Sequence, residues 1–463
     1  MSEDKKFVDR MEAYNSAFQK MDESEKHFEE HIESYLVSDE GGWTKATDAG
    51  YCSEDSRGMA LDIITLTNFV QTTQPMAWRR FERMCTISPI RQFYKAFENA
   101  VTQDGLISVM RHGFKHRGIN FRVCYFKPES ELNELANEHY KQNVCQCIRQ
   151  WHYTEANRNS IDMMLAVNGI PVVAIELKNQ LTGQSVDDAM RQWEYNRNPK
   201  EYAFGFNKRV LAYFACDLYN IYMTTQLNGA ETVFLPFNQG SNGAGKDGGA
   251  GNPTTEDGKY VTSYFWENVL QKDKLLDILQ KFISYERSEK KKIMPDGSTK
   301  TTVSSKVIFP RYHQLDVVRE LVSHVRENGA GHNYLIQHSA GSGKSNSIAW
   351  TAYRMASLHD ENNNPIFDSV IIVTDRRVLD QQLQATVSGF DHTLGSVVTI
   401  DEKKNSGDLR DAINDGKRII ISTLQKFPVI YDEVHSSVGK HYAVIVDEAH
   451  SLSLIHISEP TRH

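Results

Sequence analysis

Between residues 161 and 224 the chain is dominated by apolar runs rich in β-branched and aromatic residues, "IDMMLAV", "IPVVAIELK" and "RVLAYFAC", and these predict the strands of a sheet domain. A different period precedes them. In "DESEKHFEEHIESYLVSDEGG", Phe28, Ile32, Tyr35 and Leu36 recur at helical spacing and Gly41 and Gly42 follow, which predicts an amphipathic helix with a glycine stop. Its polar positions, His27 and His31 among them, read as a solvated charged face and are assigned no metal. Residues 60–155 alternate helical and mixed patterns without a chemical signature. "NQGSNGAGKDGGAGNP" (238–253) is too poor in apolar residues to pack and reads as a loop. "RSEKKKIMPDGSTKTTVSSK" (287–306) is basic, polar and turn-rich, the pattern of an exposed connection whose lysines suit DNA phosphates. Beyond it, strand-like and helical runs alternate to residue 449, as in a parallel α/β domain.

Composition adds bounds. At 463 residues the chain exceeds one ordinary core, so two or three domains are expected. A formal charge of −8 gives no global field toward nucleic acid, so DNA contacts must come from local basic patches or from partners. The six cysteines (Cys52, Cys85, Cys124, Cys145, Cys147, Cys216) lack metal or redox spacing and read as free thiols in a reducing cytosol. No apolar leader or membrane span is legible, so a cytoplasmic location without membrane is expected.

Two motifs point to a nucleotide site. "NYLIQHSAGSGKSNSIAWTAYRMASL" reads as an apolar strand, a small-residue loop and a helix. In such a loop the backbone N–H groups of Gly341, Ser342 and Gly343 meet phosphates, Lys344 reaches the terminal ones and the Ser345 hydroxyl suits Mg²⁺. About a hundred residues later "HYAVIVDEAH" predicts a strand that delivers two carboxylates at its carboxyl end, the edge at which parallel α/β sheets bind ligands. Asp447 suits the Mg²⁺ shell and Glu448 the attacking water. A nucleotide with Mg²⁺ is therefore expected at this edge.

"NSIDMMLAVNGIPVVAIELKNQ" reads as a β-hairpin turning near Asn168 and Gly169. Its apolar sets are Ile161, Met163, Leu165 and Val167 on one strand and Val173, Ile175 and Leu177 on the other. They meet only if odd residues pair with odd, which a three-residue loop of Asn168, Gly169 and Ile170 would give; a two-residue turn would throw Asp162 to the other face. In the odd register Asp162 lies opposite Glu176, with Lys178 on the same face. Two carboxylates and a lysine at a strand edge form a Mg²⁺ site for phosphodiester hydrolysis. By itself, ExK in a charged chain reads as a structural ion pair.

"SIDMMLAVNGIPVVAIELKNQ" followed by "DDAMRQWEYNR" resembles the PD-(D/E)xK nuclease domain of the restriction subunits of type I restriction-modification enzymes. Further likenesses are "HFEEHIESYL", "GMALDIITLTNFVQTTQP", "VFLPFNQG" and "GAGNP". The resemblance implies that Asp162, Glu176 and Lys178 are catalytic, with Asp162 and Glu176 on the metal. Gln192 stands for the family's supporting glutamine, and Tyr195 stands one residue early for its tyrosine. The second half resembles superfamily-two helicases and translocases: "RYHQ" with Gln314 is placed like an adenine-reading motif, and His338 replaces a usual glycine. "VIIVTDRRVLDQQL" (370–383) and "IISTLQKF" (420–427) imply DNA-backbone contacts by Arg376, Arg377 and Lys426.

The implied fold is α/β: a mixed-sheet PD-(D/E)xK nuclease domain with its helical region (1–285), a basic linker (286–310) and one RecA-like parallel lobe (311–451). The implied activity is Mg-dependent cleavage of double-stranded DNA coupled to ATP-driven translocation, with DNA methyltransferase (M) and specificity (S) subunits as partners. A nuclease-helicase of DNA repair or phage defence without those partners is the alternative. "LSLIHISEPTR" resembles the translation of a transposon-end sequencing adapter. Residues 452–463 are accordingly expected to be a non-native tail, and a chain with one motor lobe is expected to lack full ATPase activity.

Overall fold

A computed structural model describes residues 25–128, 133–255, 258–293, 299–339, 341–374, 383–384, 386–387, 397–400, 404–430 and 439–447. The chain divides into two compact units, residues 1–312 and 313–463.

In the first unit, helix α1 (Glu25–Leu36) and strand β1 (Thr44–Ala46) precede four helices, α2 (Ile63–Thr73), α3 (Pro75–Glu82), α4 (Pro89–Asp104) and α5 (Leu106–His112). A short hairpin, β2 (Phe114–His116) and β3 (Ile119–Phe121), and helix α6 (Glu134–Lys141) lead into β4 (Cys145–His152), β5 (Ser160–Val167) and β6 (Ile170–Leu177). Helix α7 (Val186–Tyr195), strands β7 (Ala212–Cys216), β8 (Ile221–Thr224) and β9 (Leu235–Pro236), and helix α8 (Lys272–Lys281) follow. The sheet runs β1-β4-β5-β6-β7-β8-β9 and is mixed, parallel at β1/β4 and β6/β7 and antiparallel elsewhere. Both central strands, β5 and β6, are buried almost from end to end, which explains why their sequences are near-continuous apolar runs rather than alternating ones. Helix α7 is started by a capping box between Ser185 and Asp188, and it buries Trp193 against the sheet, where the indole N–H donates to the Phe214 carbonyl at 3.0 Å.

The β5–β6 turn departs from the three-residue loop expected. Val167 pairs with Ile170, so the loop is Asn168-Gly169 alone, and both residues have positive φ, 53° and 78°, as a type I′ turn requires. The odd register is recovered by a bulge: Ala166 pairs with Pro171 but Leu165 with Val173, leaving Val172 as the extra residue. Met163 then faces Ile175, and the next step of that register sets Asp162 against Glu176.

The basic segment expected to be a connection is instead a long antiparallel ribbon, β10 (Ser284–Ile293) with β11 (Thr299–Ile308), in register from Ser284↔Ile308 to Ile293↔Thr299. Polar composition concealed it, because a ladder can satisfy the backbone of two strands whose sequences carry no apolar alternation.

The second unit begins with α9 (Tyr312–Asn328) and α10 (Lys344–Ala356) and continues through β12 (Ser369–Thr374), β13 (Val397–Ile400), α11 (Ser406–Asn414), β14 (Ile419–Thr423), α12 (Phe427–Ile430) and β15 (Tyr442–Val446). Its sheet, in the order β13-β14-β12-β15, is all parallel, in line with the alternation seen in the sequence. The strand expected at "NYLIQ" is absent: residues 331–339 are irregular. An apolar run becomes a strand only where a ladder takes its N–H and C=O groups, and among the described residues β15 pairs with β12 alone. Leu335 is left 89% exposed.

No helix among the described residues is long and apolar enough to cross a membrane, and all six cysteines are free.

Candidate functional site

The hairpin brings Asp162, Glu176 and Lys178 together at one end of β5 and β6, and all three are buried. Asp162 Oδ2 accepts the Leu177 backbone N–H at 2.7 Å and stands 3.9 Å from Lys178 Nζ. Burial would lower the Lys178 pKa, but Asp162 and Glu25 outweigh it and hold the ammonium above its ordinary range. Glu176 is fully buried. Its Oε1 accepts from Arg197 Nε at 2.9 Å and Nη2 at 2.6 Å, while Oε2 has no donor among the described residues. Burial first, and then the Asp162 carboxylate within hydrogen-bonding reach, hold the Glu176 carboxyl well above the usual carboxylate range against the opposing pull of Arg197. A buried acceptor without a donor beside a second carboxylate is the electrostatic arrangement that a divalent cation relieves, and hard oxygen donors suit Mg²⁺.

Three participants were not legible beforehand. Arg197 lies just after α7, is 3% exposed, also donates to the Ser160 carbonyl at 2.6 Å, and so anchors Glu176 to β5. Glu25 and Glu29 come from α1, whose polar positions the sequence suggested were solvated; that expectation is corrected, because Glu29 and Glu33 are each only 5% exposed. Glu25 accepts from Lys178 Nζ at 2.9 Å. Glu29 accepts from Arg149 Nε at 3.0 Å and from Gln150 Nε2 at 3.1 Å, and its carboxyl pKa is raised by burial and then by Asp162. The signal that could have found them is the stripe 25, 28, 29, 32, 33, 36: the glutamates share the i, i+3, i+4 face of the buried Phe28, Ile32 and Leu36.

Gln192 is half-buried on α7, whereas Tyr195 is 68% exposed. An offset of one residue on a helix rotates a side chain by about 100°.

In the second unit Gly341 (φ 75°) and Gly343 (φ 86°) shape the loop before α10, with Gly343 as N-cap and Lys344 as first helical residue. Gln314 is buried and grips this loop, donating from Nε2 to the Gly343 carbonyl at 2.9 Å and the Ser342 carbonyl at 3.3 Å. A Cβ at Gly343 would stand 2.5 Å from that amide nitrogen. The buried Ser342 hydroxyl has no partner among the described residues, and Ser345 follows Lys344 on a half-buried first turn. Lys344, His338 and Asp447 line one cleft of about 830 Å³, and the Asp447 N–H donates to the Val373 carbonyl at 2.9 Å. A glycine-shaped helix start, a lysine and a carboxylate around a cleft of nucleotide size fit a phosphate-bearing ligand. Lys426 donates to the Ile400 carbonyl at 2.7 Å. Glu448, Arg376, Arg377 and residues 452–463 lie outside the described residues.

Comparison with known proteins gives two family matches. Residues 24–235 match the type I restriction enzyme R protein N terminus, and residues 313–455 match the SWI2/SNF2 ATPase. The chain is 26% identical over 306 residues to the type I restriction enzyme HindI endonuclease subunit of Haemophilus influenzae, a match covering 62% of this chain and 26% of that protein. It is 24% identical over 326 residues to the putative type I restriction enzyme MjaVIIIP endonuclease subunit of Methanocaldococcus jannaschii, covering 64% and 28%. The chain thus matches about a quarter of the length of these relatives.

Proposed function

We propose that this chain, in which residues 24–235 match the type I restriction enzyme R protein N terminus and residues 313–455 the SWI2/SNF2 ATPase, supplies the DNA-cutting centre and the nucleotide-binding half of a DNA-translocating restriction enzyme. The first unit acts as a PD-(D/E)xK nuclease on double-stranded DNA and the second as a RecA-like lobe. The observation that carries the reading is the convergence of Asp162, Glu176 and Lys178 within the region matched to the R-protein family.

Asp162 and Glu176 would hold Mg²⁺. When bound, that ion polarises a phosphoryl oxygen and lowers the pKa of its water. Lys178 remains charged in its acidic surroundings and so offers a fixed positive charge to the phosphate as negative charge builds on it. Arg197 fixes the Glu176 carboxylate, and the Leu177 N–H fixes that of Asp162. In the second unit Lys344 would bind ATP phosphates, with Ser345 and Asp447 on the accompanying Mg²⁺ and Glu448 on the water side. ATP hydrolysed in the complete enzyme would supply the free energy for movement along DNA. Gln314 sets the phosphate loop through its two carbonyls. Arg376, Arg377 and Lys426 are proposed to contact the DNA backbone, and modification (M) and specificity (S) subunits to provide methylation and site recognition.

The test is cleavage of unmethylated DNA by a full-length R protein carrying this region, reconstituted with M and S subunits, ATP and Mg²⁺. Asp162→Ala and Lys178→Ala should each abolish double-strand cutting while ATP hydrolysis continues. Cutting at the wild-type rate by both variants would refute the nuclease assignment.

A further inference from the structure

The helices between β1 and β4 carry a charge opposite in sign to that of the whole chain. Residues 75–122 hold nine arginines and lysines against three aspartates and glutamates, whereas the chain has a formal charge of −8. Eight of the nine are exposed, and the half-buried ninth, Arg111, donates to the Leu279 and Ile283 carbonyls. The charge is densest at α3. Trp78 and Phe81 hold that helix against Phe93, and Phe81 also against Phe121. Met76, Arg79, Arg80 and the C-cap Arg83, at i, i+3, i+4 and i+7, are left on its exposed side. Arg117, in the β2–β3 turn, donates from Nη1 to the Met84 carbonyl at 2.9 Å and so brings a fourth exposed guanidinium to the end of α3. Glu82 is the one acidic residue of the helix. Among the described residues none of these four arginines has a carboxylate partner, in contrast to Arg57, Arg191 and Lys259, which pair with Glu155, Asp188 and Glu267. Like charges at i, i+3 and i, i+4 destabilise a helix, and a polyanion laid along them removes that repulsion.

We propose that α3 and the β2–β3 turn form a grip on the phosphate backbone of double-stranded DNA, built from Arg79, Arg80, Arg83 and Arg117 and separate from the cutting centre. The proposal rests on the reading of the first unit as one that acts on duplex DNA. Guanidinium forks match phosphate oxygens and stay charged at any working pH. The eight residues of α3 extend about 12 Å, over which a duplex presents about seven negative charges. Such contacts hold the duplex without reading its sequence. The helical layer joins the β5–β6 hairpin at its turn, where the Asp62 N–H donates to the Gly169 carbonyl at 3.0 Å, the opposite end of β5 from Asp162. The side-chain partners of Asp162, Glu176 and Lys178 come from α1, β4, the hairpin itself and the segment after α7, and so loss of the grip weakens DNA binding while leaving those three residues as they are.

The experiment is fluorescence anisotropy of a short labelled duplex with the purified chain, in EDTA and over a series of salt concentrations, with folding checked by circular dichroism. Arg79→Gln, Arg80→Gln and Arg83→Gln combined should weaken binding roughly ten-fold or more at low salt and reduce the slope of log Kd against log salt by about 2–3. The same three positions changed to lysine keep their charges and should keep the slope. Arg57→Gln, Arg191→Gln and Lys259→Gln combined remove equal charge from paired positions and should leave affinity and slope near wild type. Should the triple glutamine variant not fold, Arg117→Gln, in the exposed turn, should by itself lower the slope by about 1. Wild-type affinity and slope in the glutamine variants, an equal loss in the comparison set, or no duplex binding by the wild-type chain would each overturn the proposal. Poly-L-glutamate bound as tightly as the duplex, with the same dependence on the three arginines, would overturn it too, by marking the surface as a site for acidic protein chains. The nuclease reading is judged separately, because a full-length R protein with the three glutamines should still cut in an Asp162-dependent way when DNA is raised, whether or not the grip exists.

Discussion

Arg197 is the counter-charge on which a fully buried carboxylate depends. Removing one partner of such a pair leaves an uncompensated charge in a medium that solvates it poorly, at a cost of about 3–5 kcal/mol, whereas replacing both by apolar groups of similar volume is often close to neutral. Arg197→Met should therefore lower the unfolding free energy of the first unit by that order, read as a lower urea midpoint at unchanged slope, and Arg197→Met combined with Glu176→Leu should recover most of it. Equal losses in the single and double variants would mean that Arg197 acts through its packing against Tyr153 and not through its charge. At this scale the sequence was half legible. The convergence of Asp162, Glu176 and Lys178 was legible because they sit within one hairpin, where period and register tie neighbours together. Arg197, 21 residues from Glu176, had no local pattern to betray it. Glu29 was hidden by its charge, which suggests solvent until its place on the apolar stripe of α1 is weighed.

The hairpin shows how an element reaches a register by a different route from the one its pattern suggests. Matching of apolar sets demanded odd pairing, and the protein meets that demand with a tight Asn168-Gly169 turn and a bulged Val172. Apolar periodicity fixes parity; it does not report loop length, because a bulge and a longer loop shift register equally. The turn itself is over-determined. The Asn168 side chain accepts from the Val144 N–H at 2.7 Å and donates to the Val123 carbonyl at 2.8 Å. The Gly169 carbonyl accepts from the Asp62 N–H at 3.0 Å, and a Cβ at Gly169 would come within 2.3 Å of the Asp62 carbonyl oxygen. Gly169→Ala combines positive φ with that collision, so a loss of at least about 1 kcal/mol is expected, read as a lower thermal midpoint. A midpoint equal to wild type would show that α2 and the turn move apart freely. The ribbon β10–β11 and the irregular stretch 331–339 went unread for opposite reasons: one is a ladder without apolar pattern, the other an apolar pattern without a ladder.

At the level of the whole chain, two sheets with separate cores and a division at residues 312 and 313 imply two cooperative unfolding transitions, each answering to its own ligand. The parallel character of the second sheet was readable from alternation because crossover helices must separate parallel strands. The mixed order of the first was not, since β1 and β4 pair across a hundred intervening residues. A ligand that binds only the folded form stabilises it by about 2.7 kcal/mol at a hundred times its Kd, which for a unit of about 150 residues raises the midpoint by roughly 5–10 °C. Scanning calorimetry with Mg-ATP should therefore move one transition by that order and leave the other in place. Lys344→Ala should cancel the shift without altering the nucleotide-free midpoint, and Arg197→Met should depress only the transition that ATP does not touch. A single transition responding to both changes would mean that the two cores unfold as one, and assigning cutting and nucleotide binding to separate units would lose its physical basis.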